Sequence, residues 1–132
     1  MKLLLDSHTL LWYSQDIPTL SPSVMDMLQN PENDLYVSIA TFYEIAIKIN
    51  HGKLKIIDTV QDFYIKTIEA GIHVLPVLPI YLDSYISLPV FPDHRDPFDR
   101  LIIATAITEN HTIITIDKKF ELYNDIVKTY WN

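Results

Sequence analysis

The sequence predicts an α/β fold in which a mostly parallel sheet is covered by helices on both faces. Three observations point there. Short apolar runs alternate with helical patterns from one end of the chain to the other. Capping residues, prolines and glycines fall between them, where elements begin and stop. The stretch Thr112 to Ile116 is β-branched at every position, the clearest strand signal in the chain. Strands separated by helices build βαβ units, whose crossovers are almost always right-handed.

The elements follow in order. Lys2 to Leu5 is a strand that ends at Asp6. Ser21-Pro22 offers a cap and a first-turn proline for a helix through Gln29. The turn-rich stretch Asn30 to Asp34 leads into a strand from Leu35 to Ser38. A helix runs from Thr41 to about Asn50, with Gly52 placed where helices stop. Asp58 to Ala70 reads as a capped helix, with Gln61 three residues after Asp58 and Gly71 just past its end. Ile72 to Leu75 is a strand closed by Pro76, and Ile80 to Ser87 a short helix between prolines. Asp96-Pro97 opens a long helix through Glu109, apolar nearly all round and so expected to be buried on more than one side. The strand Thr112 to Ile116 and a weakly marked strand, Val127 to Tyr130, complete the set. The proline-rich stretch Leu88 to Pro97 is expected to be a loop inside a single domain spanning 1–132.

Composition removes several classes of function. There is no cysteine, so disulfide scaffolds, thiolate metal sites and thiol catalysis are excluded. With two glycines in 132 residues, a glycine-rich phosphate loop is excluded as well. A hydrophobic share of 48% is enough to fill a core. The apolar run at the amino terminus is interrupted by Asp6, too early for a signal peptide or for a span of roughly 20 residues. A soluble, cytoplasmic protein is the expectation. The net charge of -7 argues against a broad, sequence-indifferent DNA-binding surface. It argues less against a nuclease, whose acids are partly neutralised by bound metal.

Ligands of open parallel sheets bind beyond the carboxyl ends of the strands. Four acids are expected at that edge. Asp6 follows the first strand and Asp117 the strand at 112–116. Glu44 is expected in the first turn of the helix after the second strand, and Asp99 in the first turn of the helix from Pro97. Each has a purely structural alternative. Thr41 to Glu44 matches a capping box, Asp99 suits a helix dipole, and Asp6 and Asp117 can each begin a turn. Those alternatives leave their shared edge unexplained. Clustered carboxylates repel unless protonated or bridged by cations, and oxygen-only ligands favour Mg²⁺ or Mn²⁺ over zinc or copper. Carboxylates around such ions, with no thiol nucleophile, point to phosphodiester hydrolysis.

Secondary candidates surround these acids. Asp96 is read first as a helix cap. Ser38 and Thr115, at strand ends, suit orienting a carboxylate or bonding local backbone. Arg95 and Arg100 suit phosphate contact, with an internal salt bridge preferred for Arg100. Lys48, Lys53 and Lys55 form the only modest basic cluster, explained by a helix end. No histidine shows metal-ligand spacing; His94, beside Arg95 and Asp96, is the nearest to an exception. Trp12, Tyr13, Phe42 and Tyr43 read as core or subunit interface before base stacking.

With these residues in view, the chain resembles the PIN-domain toxins of the VapC type. The resemblance is carried by Leu3 to Trp12, Val37 to Lys48, Gly52-Lys53-Leu54, His94 to Ala104 and Thr115-Ile116-Asp117. It covers essentially the whole chain in the expected order, and the stretch His94 to Ala104 is the most specific part. Ser7 stands where threonine is frequent, and Phe42-Tyr43 where Leu-Trp is common. The resemblance implies a three-layer α/β/α fold, a Mg²⁺ or Mn²⁺ site at Asp6, Glu44, Asp99 and Asp117, and endoribonuclease activity. It further implies a cognate antitoxin protein that blocks the acids, and a homodimer. Two other classes compete. A phosphoryl-accepting signalling domain also sets acids beside Mg²⁺, but wants adjacent acids after the first strand, and Asp6 is flanked by Leu5 and Ser7. An inactive binding module would be free to lose the acids, and all four are present.

Overall fold

The computed structural model describes residues 1–15 and 20–131. Five strands, β1 (Lys2–Leu5), β2 (Asp34–Ser38), β3 (His73–Leu75), β4 (Thr112–Ile114) and β5 (Lys128–Tyr130), form one sheet in the order β3-β2-β1-β4-β5. Every pairing is parallel, with Leu4 opposite Tyr36 on one side and Ile113 on the other. The helices are α1 (Ser7–Ser14), α2 (Pro22–Gln29), α3 (Ile39–Asn50), α4 (Val60–Glu69), α5 (Pro79–Ile86) and α6 (Pro97–Glu109), with a short 3₁₀ helix at Lys118–Tyr123.

The pleat sorts side chains between two cores, because successive residues of a strand point to opposite faces. Leu3, Leu5, Leu35, Val37 and Ile114 join Leu10, Val24, Phe42, Ile45 and Phe63 from α1 to α4. Leu4 and Ile113 turn the other way, against Ile102, Ile103 and Ala106 of α6 and Phe120 and Tyr123 of the 3₁₀ helix. The result is a three-layer α/β/α arrangement. On the second face α5 lies along α6, tied by Ser84 Oγ to Thr108 Oγ1 at 2.6 Å and by the Tyr81 hydroxyl donating to Glu109 at 3.2 Å. This covers the far side of α6 and accounts for its nearly uniform apolar character.

Several boundaries differ from the sequence reading, each for a local reason. α1 was not expected: Leu10, Leu11 and Trp12 are contiguous and show no helical stripe. The helix starts because Asp6 caps it, its Oδ1 accepting from Thr9 N at 2.9 Å. α3 begins at Ile39, capped by Ser38 rather than Thr41. α4 is capped by Thr59, while Asp58 instead pairs with Lys66 at 3.0 Å. β4 stops at Ile114, two residues early, and the Thr115 hydroxyl engages the acids described below. Asn110 ends α6 in the left-handed region at φ 58°, a conformation asparagine tolerates.

Candidate active site

The strand order reverses around β1, whose neighbours are β2 and β4, and a crevice opens at the carboxyl ends of such strands. Asp6, the residue after β1, is almost fully buried there. Its Oδ1 caps α1, and its Oδ2 accepts from the Thr115 hydroxyl at 2.6 Å. Thr115 in turn accepts from Asp117 N at 3.0 Å, so one hydroxyl organises two of the predicted acids. Asp117 Oδ1 caps the 3₁₀ helix through Lys119 N. Of the two strand-end hydroxyls, Thr115 orients a carboxylate and Ser38 only caps its helix.

Glu44 enters from α3. The capping-box reading does not hold, since Thr41 is not the cap and Glu44 lies beyond the first turn. Glu44 is buried; its Oε2 pairs with Lys48 at 3.3 Å, whereas its Oε1 and Thr41 Oγ1 have no hydrogen-bond partner among the described residues. A buried carboxylate oxygen without a partner is costly unless something binds it.

Asp99 comes from the first turn of α6, aimed by the cap residue Asp96, whose Oδ1 accepts from Phe98 N and Asp99 N. The cap role expected for Asp96 is the one observed. Burial, followed by the charges of Asp96, Glu44, Asp6 and Asp117, pushes the Asp99 carboxyl up to about 8. The other three candidate acids, Asp6, Glu44 and Asp117, therefore lie close enough to Asp99 for their charges to act on it. Asp99, Asp117 and His94 are tighter still: each offers one potential ligand atom, all within 4.8 Å of one another. Asp6 and Glu44 are not in that tight group.

His94 and Tyr123 were not assigned from the sequence. The loop from Leu88 folds back through a bridge between Phe91 and His94, and His94 is buried beneath it. Its Nε2 lies 3.3 Å from Asp99 Oδ2 and its Nδ1 2.9 Å from the Tyr123 hydroxyl. Burial lowers the pKa of His94 against the opposing pull of Asp117 and Asp96, which disfavours an ion pair with Asp99. Arg100 forms no salt bridge among the described residues, contrary to expectation. It is buried, donates to Pro89 O at 3.0 Å and to the Tyr123 hydroxyl at 2.8 Å, and lies over the Tyr85 ring. Adjacency to Asp96 was the one sequence signal for His94; Tyr123, far along the chain, had none.

Arg95, Lys53 and Lys55 are exposed, and Lys48 is held by Glu44. Phe42 is core, as expected, packed against Phe63 and Tyr64. Tyr43 is exposed and meets Phe98 edge-on beside the acids. A hard divalent cation suits this donor set: carboxylate oxygens, an orphaned buried Glu44 oxygen and a raised Asp99 pKa are what an unneutralised cluster leaves behind.

The PIN domain family model matches residues 3–125. The chain belongs to the PIN domain family. Among curated proteins, this PIN domain is 26% identical over 117 residues to Ribonuclease VapC22 of Mycobacterium tuberculosis, covering 88% of the chain and 87% of the relative. Solved structures share its fold. It superposes on VapBC2 from Rickettsia felis, solved with a promoter DNA fragment, with a TM-score of 0.64 and 16% identity over the full length of both chains. VapBC-1 from nontypeable Haemophilus influenzae gives 0.65 at 17% identity, over 98% of this chain and 97% of that one. FitAcB from Neisseria gonorrhoeae gives 0.65 at 20%, over 97% and 96%. Among the described residues, no helix is long and apolar enough to cross a membrane.

Proposed function

We propose that this PIN domain is a Mg²⁺- or Mn²⁺-dependent endoribonuclease, the toxin of a toxin–antitoxin pair. The observation that carries the reading is the buried Asp99 carboxyl, raised by burial and by the charges of Asp96, Glu44, Asp6 and Asp117, beside a buried Glu44 oxygen that has no partner among the described residues. The curated relative's name, a ribonuclease, supports the substrate class, and a toxin–antitoxin complex from Klebsiella pneumoniae and a member of the VapBC family of toxin–antitoxin systems among the similar structures support the partner.

In this reading Asp6, Asp99, Asp117 and Glu44 hold the cation. When bound, a divalent ion lowers the pKa of water and stabilises charge on a phosphoryl group. The chain's own part is positional. Thr115 fixes Asp6 and the backbone of Asp117, Asp96 sets the start of α6 and hence Asp99, and Lys48 offsets the charge of Glu44. An exposed Arg95 and the Tyr43–Phe98 pair are the side chains at the rim available to a phosphate and a base.

Two surfaces are in keeping with partners. A groove of about 830 Å³ between α1, α2 and α4, with Leu10, Met25, Ile56 and Phe63 in its walls, is open to an apolar segment of an antitoxin. On the other face Ile80, Ile86 and Val90 are largely exposed around α5, a surface suited to a second copy.

The test is cleavage of a mixed RNA pool by purified, antitoxin-free protein. Activity should require Mg²⁺ or Mn²⁺, vanish with chelator and drop at least a hundredfold in Asp6→Asn and in Asp99→Asn, an order typical for loss of electrostatic stabilisation. Full activity in both variants, or in chelator, would refute the nuclease assignment.

A further inference from the structure

We infer that His94 is a positioning residue for Asp99, locked by Arg100 and Tyr123 as a hydrogen-bond donor and therefore not a metal ligand. Hydrogen-bond directions fix the tautomer. A guanidinium has donors only, so Tyr123 Oη accepts from Arg100 Nη1 at 2.8 Å. The phenol then has its own proton to place. Among the described residues, the one remaining partner of that oxygen is His94 Nδ1, 2.9 Å away. A ring nitrogen that accepts carries no proton, so the neutral imidazole bears its proton on Nε2. That nitrogen faces Asp99 Oδ2 at 3.3 Å and donates to it.

The opposite tautomer fails on burial. With a proton on Nδ1, the Tyr123 oxygen would meet two donors and its own O–H would have no acceptor. Tyr123 is 1% exposed and His94 3%, so no bulk water would compensate; a buried donor without a partner is expensive. His94 thus sits beside Asp99 and Asp117 at ligand-like distances but turns an N–H, not a lone pair, toward them. Its work is to hold Asp99 Oδ2 and leave Oδ1 for the cation, the outer-sphere support that carboxylate ligands commonly have. Only this last step rests on the metal-centre reading; the tautomer does not.

Long-range ¹H–¹⁵N NMR of the full chain, labelled at histidine nitrogens and free of metal, tests the assignment. His94 should show a protonated Nε2 and an unprotonated Nδ1, and should keep that pattern when Mg²⁺ is added. Tyr123→Phe preserves the ring packed edge-on against Phe91 but removes the hydroxyl. It should erase the tautomer preference and weaken Mg²⁺ binding about tenfold or more. A proton on Nδ1 in the unsubstituted chain, loss of the Nε2 proton on adding Mg²⁺, or an unaltered tautomer in a folded Tyr123→Phe would overturn the proposal. Should that variant not fold, the spectrum of the unsubstituted chain decides alone. An Nε2–H tautomer in a chain that binds no Mg²⁺ supports the hydrogen-bond assignment and counts instead against the metal centre.

Discussion

Thr115 donates to Asp6 and accepts from the backbone of Asp117, so two carboxylates reached by different strands depend on one hydroxyl. Thr115→Val keeps the shape and removes both bonds. It should lower stability by about 1–2 kcal/mol, since a buried acceptor and a donor both lose their partner. It should also weaken Mn²⁺ binding by roughly tenfold or more, as loss of outer-sphere support does. Thermal unfolding and calorimetric titration read the two effects, and a variant that loses stability while binding Mn²⁺ normally would reduce Thr115 to a packing role. The role of Thr115 was half legible in advance: its place at a strand end was clear, but its choice between Asp6 and local backbone depends on β1 and β4 being neighbours, with Leu5 opposite Ile114. Glu44 shows the reverse. Its spacing from Thr41 fits a capping box, yet the true cap lies three residues earlier, and the side chain is left facing the crevice.

The amino end of α6 is the element on which the site turns. Asp96 caps it through two backbone N–H groups and also ranks first among the charges that raise the Asp99 pKa. The two effects oppose each other in Asp96→Ala. Losing the cap should cost about 1 kcal/mol, while losing the charge relieves Asp99 only when Asp99 is ionised. Denaturant titrations of the metal-free variant should therefore show a larger loss at pH 5 than at pH 9; equal losses would mean that Asp96 and Asp99 are not coupled. On the outer side of the same layer, α5 covers α6 and exposes Ile86 and Ile80. Ile86→Lys should shift the protein toward monomer in sedimentation velocity without lowering thermal stability by more than about 0.5 kcal/mol, as for other surface substitutions. An unchanged sedimentation coefficient would exclude this face as a surface for a second copy. The cap at Asp96 and the burial of α6 were both readable beforehand, because Asp-Pro and an all-round apolar helix are local signals. α1 was not, because the aspartate that caps it precedes an apolar cluster without a stripe.

For the whole molecule, the cluster makes folding and charge oppose each other. The folded chain binds a proton at Asp99 with a pKa near 8, against 3.8 for the unperturbed group. A carboxyl whose folded value is raised contributes stability that is complete below the unfolded value and is lost as pH rises through the folded one. In chelator, the melting temperature should fall as pH goes from about 4 to about 8 and then level off. Asp99→Asn should flatten that decline, and saturating Mg²⁺ should do the same by replacing the proton. A decline of the same size in Asp99→Asn would assign it to other groups. The overall charge of -7 adds a general repulsion that salt screens, whereas the buried cluster is screened much less.

Local chemistry alone decided the alternation of strands and helices, the parallel sheet, and the list of acids standing at strand ends and helix starts. Those follow from periodicity, capping and turn preferences, each acting over a few residues. The partnership of Asp6 with Thr115, the unpartnered Glu44 oxygen and the chain from Arg100 through Tyr123 and His94 to Asp99 were decided only by the fold. Apart from the last link, His94 to Asp99 at five positions, these join residues 23 to 109 positions apart or depend on what surrounds a buried atom. Hydrogen-bond direction and desolvation belong to an enclosed space, and no stretch of sequence encloses itself.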